Sequence, residues 1–284
     1  MSRSVEIFEV GPRDGLQNEA RDIPAAEKIA LVDLLSGAGF SRIEVASFVS
    51  PKWVPQMACS AEVLAGIARA PGVRYAALTP NMRGLQDALA AKADEVAIFG
   101  SASEGFSRAN INATIAESLE RFAPVAEAAR AAGVPVRGYV SCVTDCPYDG
   151  PTRPGDVARV AAALQDMGCY EISLGDTIGQ GTPERVAKML AAVLEVVPAA
   201  QLAGHFHDTA GRALENIEVS LEHGLRVFDA AVGGLGGCPY APGAAGNVAT
   251  EKVHDRLDAL GHATGLDRDV LMRAADMARA MRGA

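Results

Sequence analysis

Short runs of β-branched and apolar residues alternate along the whole chain with longer Ala- and Leu-rich stretches whose apolar positions recur at helical spacing. Eight such runs stand out: Val5–Val10, Arg42–Ser47, Val73–Leu78, Glu95–Phe99, Val136–Ser141, Tyr170–Leu174, Leu202–Phe206 and Val227–Val232. Their starts recur about every 32 residues, room for one strand, one helix and their connections. Between them the pattern predicts helices over Ala25–Ala38, Thr114–Ala132, Asp156–Met167, Pro183–Val196 and Gly211–His223. Pro154 and Pro183 lie near helix starts, and Gly39, Gly133, Gly168 and Gly224 lie just past helix ends. Strict alternation of the two element types predicts a parallel sheet. Eight units in about 250 residues predict a closed (β/α)8 TIM barrel of the α/β class. No GxGxxG follows the first strand, which speaks against an open dinucleotide-binding sheet. The last stretch, Asp267–Arg282, is predicted as an additional C-terminal amphipathic helix on the barrel rim or against a partner subunit. No linker divides the chain, so residues 1–284 are expected to form one domain.

Composition narrows the picture. Hydrophobic residues make up 49% of the 284 and charged residues 21%, so a large core is available and a disordered chain is excluded. Twenty-six basic against 35 acidic residues leave a net charge of −9, which argues against nucleic acid and anionic membrane as partners. No apolar run approaches the roughly 18 residues that a membrane span requires. With no leader-like apolar segment at the start and no peroxisomal tripeptide at the end, a bacterial-type cytoplasmic location is expected. Five cysteines, at 59, 142, 146, 169 and 238, are odd in number and scattered, as expected of thiols in a reducing compartment. Cys142 and Cys146 stand one residue too far apart for a CxxC site.

A barrel of this kind carries its chemistry at the C-terminal ends of its strands. The polar residues expected there are Arg13 and Asp14 after the first strand, Glu44 and Ser47 on the second, and Ser173, Asp176 and Thr177 on the sixth. The seventh ends in His205, Phe206 and His207, and the eighth leads through Gly233–Gly237 to Cys238 and then Asn247. Residues two apart on a strand point to the same face, so His205 and His207 enter the barrel together. They are either a hydrogen-bonded interior pair or two ligands of one divalent cation, and Asp14 and Asn247 at the same mouth favour the cation. Glu44, inward and costly if unpaired, has Arg13 as its natural partner, in a pairing that is either structural or functional. Arg13 can equally hold a carbonyl or carboxylate oxygen. Cys238 lies among glycines in a loop read as permissive enough to close over a ligand.

In order and spacing these residues resemble the hydroxymethylglutaryl-CoA lyases of the DRE-TIM metallolyase superfamily. The resemblance covers nearly the whole chain and runs through VGPRDGLQNE (10–19), IEVASFVSPKWVPQM (43–57), VRGYVSCVTDCPY (136–148), GCYEISLGDTIGQGTP (168–183) and GLGGCPYAPGAAGNVATE (234–251). It implies Mg²⁺ or Mn²⁺ held by Asp14, His205, His207 and Asn247, with no organic cofactor beyond the CoA of the substrate. It also implies that Arg13 meets the thioester carbonyl and that Cys238 takes part in proton transfer. Glu44 and Asp176 would be supporting acid/base or orienting groups, with Asp176 as the base, or His207 if it leaves the metal, and Ser47, Ser173 and Thr177 would line the substrate. The implied reaction is cleavage of 3-hydroxy-3-methylglutaryl-CoA to acetyl-CoA and acetoacetate by a homo-oligomer, dimer or tetramer. A lyase acting on a longer 3-hydroxyglutaryl-CoA or on citramalyl-CoA is the alternative. One feature is usual in the lyase branch and one is a departure from it. The superfamily's first-strand Asp-Arg-Glu reads Pro12-Arg13-Asp14-Gly15 here, and Cys59, Ser60 and Ala61 replace more polar residues, which bears on the substrate tail.

Overall fold

A computed structural model of the chain describes residues 4–238 and 241–282, with 237–238 and 241–245 described by their backbone alone. Eight parallel strands close into a barrel: β1 (Glu6–Glu9), β2 (Arg42–Ser47), β3 (Arg74–Leu78), β4 (Glu95–Ser101), β5 (Val136–Ser141), β6 (Glu171–Asp176), β7 (Leu202–Phe206) and β8 (Val227–Ala230). Each pairs with its neighbours in sequence, and β1 closes the ring against β8 with Glu6 opposite Val227 and Glu9 opposite Ala230. The eight predicted runs are these eight strands. The differences lie at the ends: β4 and β6 run on to Ser101 and Asp176, whereas β1 and β8 stop at Glu9 and Ala230. Beyond those two strands the backbone coils into a π-helical turn, Gly11–Gly15, and a 3-10 turn, Val232–Gly234.

Ten helices surround the barrel among the described residues: α1 (Ala25–Ser36), α2 (Ser60–Gly66), α3 (Met82–Ala90), α4 (Glu104–Ile111), α5 (Ile115–Ala131), α6 (Pro154–Asp166), α7 (Pro183–Val193), α8 (Ala213–Glu222), α9 (Thr250–Ala259) and α10 (Arg268–Met281). The longest, α5, starts in a capping box, with the Thr114 hydroxyl accepting from the Glu117 N–H and the Glu117 carboxylate accepting from Thr114 N–H. Both α6 and α7 open on proline, whose missing N–H costs nothing in a first turn. The terminal helix α10 packs on α1 and on the Val232–Gly234 turn, so it braces the rim of the barrel.

The apolar core sits between sheet and helices, where Leu31, Leu35, Val63, Val125, Val160, Leu190, Ile217 and Leu271 are buried against the outward faces of the strands. The inside of the barrel is different. Below the mouth it holds Arg42, Arg137, Glu95, Glu171 and Asp229, all buried and paired with one another or with Tyr170.

Candidate active site at the mouth of the barrel

The Gly11–Gly15 turn carries Arg13 and Asp14 into the mouth, with Asp14 N–H returning to the Val10 carbonyl at 2.7 Å. Its base is set by Glu9, which is fully buried: Oε1 accepts from the N–H groups of Gly11 and Val232 at 2.8 and 2.9 Å, and Oε2 from the Thr250 hydroxyl at 2.7 Å. Residue 11 must be glycine for this approach, because a Cβ there would meet Glu9 Oε1 at 2.6 Å. Burial pushes the Glu9 carboxyl up to about 7, against its three donors.

Arg13 is 4% exposed and lies between two carboxylates. Nε donates to Glu44 Oε2 at 2.6 Å, and one Nη donates to Asp14 Oδ1 at 2.7 Å, while the guanidinium also lies 5.6 Å from the centre of the Tyr139 ring. Burial pushes the Glu44 carboxyl above its ordinary value in spite of Arg13, and Glu44 Oε1 has no partner. Asp14 behaves in the opposite way. The nearby Arg13, His205 and His207 charges outweigh its burial and hold it below the usual carboxylate range.

Asp14 is the hub of the site. Gln17 Nε2 donates to its Oδ1 at 3.0 Å and Asn247 Nδ2 to its Oδ2 at 2.9 Å. His205 Nε2 lies 3.9 Å from the same Oδ2. Asn247 reaches this point because segment 246–248 runs beside the end of β7, with Asp208 N–H on the Gly246 carbonyl and Val248 N–H on that of Phe206. Asn247 and His207 thereby face each other in an antiparallel bridge. The two imidazoles have ring centres 5.4 Å apart. Ligand atoms from Asp14, His205 and His207 all lie within 4.8 Å of one another, close enough to share one ion.

The donors suit a divalent cation. His207 Nδ1 is buried without a hydrogen-bond partner, and burial together with His205 lowers its ring to about 4, so the imidazole is neutral and its lone pair available near neutrality. A buried ring nitrogen left unpaired is costly unless something outside the chain takes it up. His205 is raised above the ordinary histidine value, since a hydrogen bond from Nδ1 to Asp229 Oδ2 at 3.1 Å outweighs its burial.

Other expected site residues lie around this centre in distinct roles. Ser47 Oγ is buried without a partner, as is the Tyr139 hydroxyl. Ser173 donates its hydroxyl to Asp229 Oδ2 at 2.7 Å, below the histidines. Asp176 is fully buried with both oxygens occupied, Oδ1 by the Thr144 hydroxyl at 2.6 Å and Oδ2 by Gly181 N–H at 2.9 Å, and burial raises its carboxyl. Thr177 accepts from Cys142 N–H at 2.8 Å. Cys238 stands in a two-residue strand, Gly237–Cys238, paired antiparallel with Ala241–Ala245, and its side chain lies outside the described residues.

The glycine run before it is held more firmly than its composition suggests. Gly233 N–H donates to Glu251 Oε2 at 3.0 Å, Gly236 N–H to Glu19 Oε1 at 3.1 Å, and Arg282 from the end of α10 binds the Gly234 carbonyl. Sequence reasoning also passed over Gln17, Tyr139, Arg137 and Asp229. Inward alternation on β5 was the available signal for Arg137 and Tyr139, which lie two apart.

A closed parallel barrel that gathers a carboxylate, two imidazoles and a carboxylate-paired arginine at its strand ends defines a class, the (β/α)8-barrel metallolyases. The HMGL-like family matches residues 4–278, and the chain belongs to that family. A lyase of Pseudomonas aeruginosa, named 3-hydroxy-3-isohexenylglutaryl-CoA/hydroxymethylglutaryl-CoA lyase, is 59% identical over 274 residues, which is 96% of this chain and 91% of the relative. The crystal structure of the HMG-CoA lyase of Brucella melitensis superposes with a TM-score of 0.99 at 62% identity, covering 100% of both chains. An HMG-CoA lyase of Acinetobacter baumannii, solved with coenzyme A and 3-methylmalate, has a TM-score of 0.94 at 38% identity over 100% of this chain and 92% of that one. Its near relatives are thus carbon–carbon lyases.

Proposed function

We propose that this chain cleaves (S)-3-hydroxy-3-methylglutaryl-CoA by a retro-Claisen reaction to acetyl-CoA and acetoacetate. The observation that carries the reading is Arg13, buried and clamped by Glu44 and Asp14 at the edge of the Asp14–His205–His207 donor set. A cation fixed beside a metal-binding centre suits a substrate in which one oxygen must lose a proton while another gains negative charge.

Asp14, His205, His207 and Asn247 would hold Mg²⁺ or Mn²⁺, which when bound supplies Lewis acidity toward the substrate's oxygens. Arg13 then donates to the thioester oxygen and stabilises the enolate that C–C cleavage leaves there. The proton of the 3-hydroxyl passes to a base, His207 or Asp176. A neutral imidazole has a single lone pair, so His207 takes the proton only if it leaves the cation, whereas both oxygens of Asp176 already accept hydrogen bonds, from Thr144 and Gly181. Cys238 protonates C2 of the enolate. The partnerless Ser47 and Tyr139 hydroxyls and Glu44 Oε1 are available to polar groups of the acyl chain. In the same reading residues 1–284 form one catalytic domain that acts on acyl-CoA in the cytoplasm as a homo-oligomer. No helix among the described residues is long and apolar enough to cross a membrane.

The test is purified protein with HMG-CoA and Mg²⁺, following acetoacetate, with the isohexenyl analogue and citramalyl-CoA in parallel. Faster turnover of either competitor would move the assignment to that substrate, and no turnover of any of them would remove it.

A further inference from the structure

Asp229 lies one strand away from the metal-ligand candidates and is bound more completely than any of them. In the barrel register it sits directly opposite His205, β8 against β7. Its Oδ2 meets His205 Nδ1 at 3.1 Å and accepts from the Ser173 hydroxyl at 2.7 Å and an Arg137 Nη at 3.0 Å, while Oδ1 accepts from the other Nη at 2.7 Å. Arg137 cannot turn away. Its Nε is held by Glu171 at 2.6 Å, and its guanidinium lies 4.5 Å from the Phe8 ring centre and 4.9 Å from that of Tyr139. Glu171 is in turn bound by Arg42 at 3.0 and 3.2 Å. Every member of this chain is buried.

A buried ion pair of this kind is a poor source of stability, since apolar residues of similar volume often serve a fold as well or better. Its value lies in what it fixes. A carboxylate has no hydrogen to donate, so its contact with His205 requires the proton on Nδ1 and leaves the Nε2 lone pair facing Asp14, 3.9 Å away. His207 has no carboxylate partner of this kind: its Nδ1 is unpaired, and its ring hydrogen-bonds to the Thr177 backbone.

We propose that Asp229 is a positioning residue for the metal centre: held rigid by Arg137 and Ser173, it sets the tautomer and ring orientation of His205 so that Nε2 is presented to a divalent cation. The inference rests on the reading of Asp14, His205 and His207 as a cation site. The metal itself enters only through binding, so the proposal can be separated from turnover.

The experiment uses the pair substitution Asp229→Leu with Arg137→Met, which removes both charges together and leaves Glu171 paired with Arg42. Mn²⁺ is titrated into chelator-treated wild type and variant by calorimetry, and both are melted. The expected result is a melting temperature close to wild type with Mn²⁺ affinity 10–100-fold weaker, the usual loss when a histidine ligand is deprived of its outer partner. Unchanged affinity in a folded variant would overturn the proposal, and a merely structural role would lower melting while leaving the affinity alone. Should the variant not fold, ¹⁵N-histidine spectra of metal-free wild type at a pH where the rings are neutral decide the matter. His205 protonated on Nδ1 supports the assignment, and protonation on Nε2 overturns it. A wild type that fails to bind Mn²⁺ but shows the Nδ1–H tautomer would instead overturn the cation reading on which the proposal stands.

Discussion

Arg13 Nε donates to Glu44 Oε2 at 2.6 Å while Oε1 of the same carboxylate, equally buried, has no partner. The ion pair is therefore half-saturated, and the open oxygen lies at the site where substrate is expected. Replacing one partner of a buried pair costs about 3–5 kcal/mol because the other charge is left uncompensated. Arg13 keeps Asp14, so Glu44→Gln should fall at the low end, read as the loss in unfolding free energy in urea. The double variant Arg13→Gln, Glu44→Gln should recover part of that loss, with a coupling of about 0.5–3 kcal/mol. A Glu44→Gln protein as stable as wild type would show that the pair contributes nothing to the fold.

Arg13→Gln alone separates chemistry from binding. Loss of one donor to a developing oxyanion should lower kcat about 10²-fold or more, with a smaller change in KM, since the charge appears only in the transition state. Steady-state kinetics on HMG-CoA read both constants. A raised KM at wild-type kcat would reduce Arg13 to a clamp for the ground state.

Removal of a ligand or of the ion should have the same effect. His207→Ala and chelation of wild type should each abolish cleavage, and Mg²⁺ or Mn²⁺ should restore only the chelated wild type. Full turnover by exhaustively chelated protein would end the metal-dependent reading.

The carboxyl of Glu9 predicts a pH dependence of stability. Burial raises it to about 7 in the fold from an ordinary 4.5, so between those values the folded chain holds a proton that the unfolded chain has released. Stability from this group is complete below about pH 4.5 and is lost as the pH rises through 7, by roughly 3 kcal/mol at 1.36 kcal/mol per pH unit. Glu9→Gln mimics the protonated acid: its oxygen can accept from Gly11 and Val232 and its amide can donate to Thr250. Urea unfolding at pH 5 and pH 8 should therefore show a smaller decline for the variant than for wild type. Parallel declines would remove Glu9 as their source.

Cys238→Ser should bind Mn²⁺ and CoA ester as wild type does and lose about 10²–10⁴-fold in kcat, the range for a positioned acid or base. Thiol alkylation should inactivate wild type, more slowly when substrate is saturating. Wild-type turnover by Cys238→Ser would return this residue to packing.

The barrel and the outline of its mouth were legible along the chain because both are local properties. The two-residue period of a strand sends His205 and His207 to one face whatever lies beyond it, and the repeat of strand and helix sets the number of units before any of them meet. Asp14 and Asn247 could be added because parallel strands deliver their C-terminal ends to one side. The residues that secure the site were not legible in this way. Asp229 and Arg137 are 92 positions apart and Glu9 and Thr250 are 241 apart, and nothing near either member in the sequence names its partner. Their pairing depends on ring closure of β8 onto β1 and on the register that sets Asp229 opposite His205. The glycines at 233–236 read as a permissive loop, since composition reports the freedom of an isolated backbone. In the folded chain Glu19, Glu251 and Arg282 occupy its N–H and carbonyl groups. Local pattern thus determined which elements form and which residues reach the mouth. Only the closed barrel decided which buried charges meet there, because the cost of leaving a charge unpaired is settled by neighbours that the linear sequence keeps far apart.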